Sequence, residues 1–344
     1  MERKFNFSPT CIGSFPHTDP RQICDKILNS FTEIPFWPQL PKRSFFENMY
    51  AQYSEGLPGV QIDDKNKTIY LEASKNLSSE IERTYEKYLA GDLEYFAITK
   101  ERAAGFYEFT RQLEARKTDG LKFIKGHVTG PVSFGLAITD ESKQAIFYNQ
   151  ELQEVLTKVL AMKIRWQVRK LKSIFDKVII FIDEPYMVSI GSSYVNIKPD
   201  EAMKRIGELV KEVHKEGGLA GIHCCGNTDW GLLLRTDIDI INFDAYNFIE
   251  SISLYPEELK QFLALNKSIA WGIVPTSSDA KEDAGSLLER LEKGFDVLAK
   301  KGVARKDLLR SSLITPSCGC GTLSIDKSEE ILSLTLKISE RLRK

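Results

Sequence analysis

The residues most able to do chemistry sit in two short clusters. In GIHCCGNTD (221–229), His223 and Cys225 stand two positions apart. On an extended strand they project to the same side, while Cys224 projects to the other. One strand can therefore present imidazole and thiolate together. A third soft ligand has to come from elsewhere, and Cys318 in TPSCGCG (315–321) supplies it. Imidazole and thiolate together suit zinc, and three protein ligands with one exchangeable position form the catalytic rather than the structural pattern. Taken alone, either cluster reads as buried, inert thiols. Two such clusters at two strand ends favour the metal.

IDEP (182–185) adds a pair of acids, Asp183 and Glu184, at the end of an apolar run. Burying adjacent carboxylates is costly unless they meet a cation or work through hydrogen bonds. The plainer alternative is a helix cap. IGSFP (12–16) and HVTGPVSFG (127–135) are glycine-containing turns suited to an anion, and neither is a nucleotide-binding fingerprint. His127, Asp183 and Glu184 are the catalytic candidates. His214, in the lysine-rich KEVHKEGG, reads as a solvated helix residue.

The elements that must position these residues are visible as a rhythm. Short apolar runs at 7–14, 33–39, 121–131, 177–185, 218–226, 239–246, 268–276 and 309–319 alternate with helical patterns. Leu152, Val155, Leu156, Val159, Met162 and Trp166 form one helical stripe. Ile206, Leu209, Val210 and Val213 form another, with Pro199 and Asp200 marking its start, and Ile331, Leu334, Ile338 and Leu342 a third. Near-continuous apolar strands separated by helices predict a parallel sheet covered on both faces. Eight of them predict a single (β/α)₈ TIM barrel spanning 1–344. A hairpin and helices at about 58–118 are inserted between strands 2 and 3. In such barrels the site lies at the C-terminal strand ends. Ser14, Gln39, His127, Asp183, Glu184, His223, Cys225, Asp244 and Cys318 all fall there.

The bulk numbers fit. The chain has 344 residues, 42% hydrophobic and 28% charged, with a net charge of −1. That balance argues against nucleic acid or an anionic membrane as partner. No apolar run approaches the ~20 residues of a membrane span. MERKFNFSPT has no signal-peptide core, so a cytoplasmic location is expected. Six cysteines are too few for a disulfide scaffold in a chain of this length.

In order along the chain, IGSFPH, TGPVS, IDEP, IHCCGNT, IINFDAY and TPSCG resemble the catalytic, C-terminal barrel of cobalamin-independent methionine synthase. That family lies within the uroporphyrinogen decarboxylase/methionine synthase-like superfamily, and the resemblance spans residues 11 to about 323. It implies zinc on His223, Cys225 and Cys318. It places Asp244 where the family has a fourth ligand, a glutamate. It implies a substrate amino acid held by Ile12, Gly13 and Ser14 on the carboxylate side and by Asp183 on the ammonium side. Gln39 stands where the family has an acid. The chain is expected to be a short form without the family's N-terminal barrel. The implied function is zinc-dependent methyl transfer to a small thiol, homocysteine first, from a corrinoid carrier protein or methyl-tetrahydrofolate.

Three other readings compete. A uroporphyrinogen decarboxylase-like enzyme needs no metal and favours an N-terminal arginine cluster, where this chain has only Lys42 and Arg43. A methylcobamide:coenzyme M-type methyltransferase would take a sulfonated thiol. A non-catalytic corrinoid- or thiol-binding barrel would show no turnover.

Overall fold

The computed structural model describes residues 5–73, 75–191 and 195–344. Strands β1 (Ser8–Pro9), β4 (Ile124–Thr129), β5 (Val178–Asp183), β6 (Leu219–Cys224), β7 (Ile240–Phe243), β8 (Ser268–Val274) and β9 (Ser312–Pro316) form one sheet in the order β1-β9-β8-β7-β6-β5-β4. All of its pairings are parallel. The residues of β4, β7, β8 and β9 are buried throughout, as expected of strands covered on both sides.

The sheet curls, so its two faces bury different cores. Ile179, Phe181, Ile240, Ala270 and Leu313 face inward and pack with Phe5 and Ile34 in a small inner cluster. Their neighbours Ile180, Ile182, Ile241, Ile269 and Ile314 face the helices in a much larger one. This two-residue alternation decides which polar side chains enter the interior.

Seven strands pair in the sheet, one fewer than the eight expected. The run 33–39 makes only isolated bridges, Phe36 with Lys125 and Ser14 with Gln39. Pro35 and Pro38 explain this, because proline has no N–H to give a ladder. The bonds it makes include Lys125 N to Pro35 O (2.9 Å), Trp37 N to Lys125 O (3.4 Å), Gln39 N to Gly13 O (2.8 Å) and Phe15 N to Gln39 O (2.9 Å). The segment thus touches both edge strands of the sheet.

Between residues 39 and 124 the chain forms the antiparallel hairpin β2 (Val60–Asp63) and β3 (Thr68–Leu71), then helices α2 (Ser78–Ala90) and α3 (Ala104–Glu114). The expected helical stripes are buried on α5 (Gln150–Lys172) and α6 (Pro199–Lys215). Asp200 lies in the first turn of α6, and Lys198 occupies the cap position. On α12 (Ile325–Leu342), Ile331 and Ile338 are buried and Leu334 and Leu342 half-buried. His214 is exposed on α6, as expected, and it is also paired. Its Nε2 lies 2.7 Å from the Asp239 carboxylate, which also accepts from Ala220 N, so the ring ties α6 to the sheet. No helix among the described residues is long and apolar enough to cross a membrane.

Candidate metal centre

His223 enters the interior from β6, beside Asp183 of β5 and Asn242 of β7 in the register. Its tautomer follows from a relay anchored on the main chain. Asn242 Nδ2 donates to the Ala270 carbonyl (2.9 Å) and to Thr315 Oγ1 (2.8 Å). Both amide hydrogens are thereby spent, so Asn242 Oδ1 is the end that meets His223 Nδ1 at 2.5 Å. Nδ1 carries the proton, and Nε2 keeps its lone pair. Nε2 is buried and meets no hydrogen-bonding partner of acceptable geometry. What faces it is sulfur.

Cys225, just past the end of β6, and Cys318, just past β9, bring their Sγ atoms to within 4.8 Å of each other and of the His223 ring. Ligands at ~2.0–2.3 Å around a tetrahedral zinc stand ~3.5–3.8 Å apart, so the triangle needs only a small contraction. Cys224 lies in the outer core with its Sγ toward Gly226 O (3.6 Å), on the opposite face as its spacing predicts. A hydrogen bond from the Cys318 thiol, and then the adjoining His223 ring, hold Cys225 well below the ordinary thiol range. The same shared proton pushes Cys318 up.

The three residues open into a cavity of about 340 Å³ also lined by Ile12, Ser14, Gln39 and Asp183. Pro41, Asn48, Met49, Pro185 and Thr322 complete much of its wall. Asp183 is half-buried with its Oδ1 buried and without a partner, and desolvation raises its carboxyl to about 6. The CGCG turn after β9 wraps Ser14. Cys320 N donates to Ser14 O (2.8 Å), and a Cβ on Gly321 would overlap the Ser14 hydroxyl.

Four other candidates are placed elsewhere. Gly13 (φ +141) is not part of the cavity lining, and a Cβ there would sit 2.7 Å from the His127 ring. His127 stacks on Trp37 at 3.9 Å between ring centroids. Both its ring nitrogens are buried without partners, and burial lowers its pKa well below the usual histidine value. Glu184 turns away from the cavity to the first turn of α4 (Pro131–Ala137). It accepts from Val132 N (3.0 Å), Ser133 N (2.8 Å) and Ser133 Oγ (2.6 Å). Burial raises its carboxyl to about 7. Asp244 caps α8 (Ala245–Ile252), accepting from Asn247 N (2.9 Å) and Nδ2 (2.7 Å), and stands outside the His223–Cys225–Cys318 group.

Two functional residues escaped the motif reading. Asn242 sits inside IINFDAY, an inward-facing amide in an otherwise apolar strand. Lys125 is a lone charge inside the apolar FIKGHV run; its Nζ donates to the Ile12 carbonyl (2.8 Å) and lies 4.4 Å from the Phe181 ring centroid. An ionisable or amide group on the interior side of a strand was the signal in both cases.

No family model matches the chain, and no curated protein matches it. Among solved structures it is similar to a B12-independent methionine synthase from Shewanella sp. W3-18-1 in complex with selenomethionine. The identity is 17% over 68% of this chain and 66% of that one, with a TM-score of 0.48. It is also similar to the GH113 β-mannanase AaManA from Alicyclobacillus acidocaldarius in complex with ManMIm. There the identity is 12% over 69% of this chain and 79% of that one, with a TM-score of 0.38. Neither likeness bears on the chemistry of the site.

Proposed function

We propose that the chain is a zinc-dependent methyltransferase acting on a small thiol, with homocysteine as the favoured acceptor and methionine as its product. The observation that carries the reading is the His223–Cys225–Cys318 triangle with Nε2 unpartnered, set in the wall of the cavity. In the same reading the sheet closes as an eight-stranded barrel, with 33–39 as its second strand and 58–118 as an insertion.

Bound on His223 Nε2, Cys225 Sγ and Cys318 Sγ, zinc would supply a Lewis acid that keeps an added thiol as its thiolate at neutral pH. The protein's own groups do the rest. Asn242 fixes His223 in the tautomer a metal requires. Asp183, with one oxygen buried and unpartnered, accepts the ammonium of an amino-acid thiol. Ser14 and Ile12 line the same cavity, and Lys125 holds the Ile12 carbonyl. The acceptor's S–H proton leaves to solvent, the sulfur forms a bond to the methyl carbon, and the donor departs with the electron pair of the bond broken. The donor is a corrinoid carrier or methyl-tetrahydrofolate. The decarboxylase alternative loses its cationic residues, because Lys42 is bonded to Leu323 O and Arg43 to Glu47.

The test is methionine formation by zinc-loaded protein from homocysteine with methylcobalamin or methyl-tetrahydrofolate. Activity with either, lost in Cys318→Ser, is the expected result. A zinc-loaded protein that binds homocysteine yet methylates no thiol from either donor would instead point to a binding barrel.

A further inference from the structure

A second amide relay, outside the metal ligands, determines what the cavity can read. Gln52 is fully buried and does not line the cavity. Its Nε2 donates to the Arg102 main-chain carbonyl at 2.6 Å, and a carbonyl can only accept. Gln52 Oε1 must therefore be the end turned to Gln39, and there it takes the Gln39 Nε2 hydrogen bond at 2.9 Å. Gln39 lines the cavity, and its amide nitrogen is the end turned to Gln52, where it gives one of its two hydrogens, so its Oε1 is the opposite end and is left to the cavity. The surrounding shell is fixed as well: Gln52 N donates to Asn48 O (2.9 Å), and Arg102 Nη1 donates to Ser54 Oγ (2.9 Å). A flip of Gln39 would bring its oxygen against the Gln52 oxygen, and a flip of Gln52 would bring oxygen against the Arg102 carbonyl.

We propose that Gln52 is a positioning residue that fixes Gln39 as a hydrogen-bond acceptor, and that the cavity selects an occupant bearing an N–H or O–H donor at this wall. Two further observations agree. Asp183 Oδ1 is a second unpartnered acceptor in the same lining, and among the described residues no lysine or arginine is part of that lining to receive a carboxylate or sulfonate. Gln39 also brings no charge of its own. A donor group there is recognised by an amide, and any positive charge is answered by Asp183 alone. The choice of a thiol as the occupant rests on the function proposed above; the orientation of the two amides does not.

The experiment compares two thiols that differ only in the amine, homocysteine and 4-mercaptobutanoate, by calorimetry on zinc-loaded protein. Gln39→Leu should lower the preference for homocysteine by about tenfold or more, the scale of a lost hydrogen bond to a charged donor. Gln52→Leu should lower the same preference although it never touches ligand, and the double variant should lose no more than Gln39→Leu alone. A merely structural role would weaken both thiols together and leave the ratio unchanged, and that result overturns the proposal. A neutron structure decides the orientation independently of any thiol. A Gln39 amide with its ND₂ group at the Gln52 end and its oxygen at the other end supports it, and an amide with its oxygen at the Gln52 end overturns it even if Gln52→Leu does not fold. Failure of wild-type protein to bind either thiol would count against the thiol reading, while the neutron result would still decide the relay.

Discussion

At the scale of single residues, the account turns on which polar atoms are spent and which are free. Asn242 spends both amide hydrogens on Ala270 O and Thr315 Oγ1 to hold His223. Asn242→Leu should therefore lower zinc affinity about 10–100-fold, the usual cost of losing a ligand's orienting partner. Competition with a chromophoric chelator measures it, and unchanged affinity would mean the tautomer is set by something else. Asp244 separates two roles. As the α8 cap alone, Asp244→Ala should cost ~1 kcal/mol in urea unfolding and leave zinc bound; as a fourth ligand it should release zinc. The cap geometry favours the first result. The His-x-Cys and the distant Cys318 were legible in the sequence because strand geometry makes alternate residues share a face. Asn242 was not, because its role depends on Thr315, far along the chain and adjacent only once the sheet has formed.

At the scale of elements, the helices were legible and the strands partly so. Stripes such as Leu152 to Trp166 state a helix directly. The run 33–39 reads as a strand by apolarity, yet its two prolines withhold the donors a regular ladder needs. Glu184 shows the same limit. Its position at a strand end suggested chemistry, and the fold turns it to the N-terminus of α4, where three donors converge on it. Glu184→Ala should leave those donors unpaired and lower stability by about 1–3 kcal/mol, with zinc content unchanged. Urea denaturation together with metal analysis checks this. Lost zinc with unchanged stability would move Glu184 into the site.

At the scale of the whole molecule, the end of the sheet away from the cavity is closed by a clasp. Arg343 reaches Glu33 through Nη1 (3.1 Å) and Nη2 (2.6 Å), and Asn6 O through Nε (2.9 Å). Burial alone would raise Glu33. Hydrogen bonds from Arg343, Ser8 and Lys122, with the Arg343 charge, overcome it and hold the carboxyl down at about 2. A depressed carboxylate stabilises the fold above its unfolded pKa, and that stability is lost as pH falls through the folded one. The clasp should thus be fully present above about pH 4.5 and disappear toward pH 2. Arg343→Ala should lower Tm at pH 7 and flatten the acid dependence between those limits. An unchanged acid limb would mean the clasp contributes nothing measurable, the outcome of many half-exposed ion pairs.

The central claim, a zinc held by His223, Cys225 and Cys318 with one position open to a thiol, is tested most directly by X-ray absorption at the zinc edge. Protein purified without chelator should carry about one zinc per chain with two sulfur and one nitrogen protein ligands. Adding homocysteine should raise the sulfur count by one without displacing the others. An absence of zinc, or a sulfur count that does not change on saturation with homocysteine, would contradict the account.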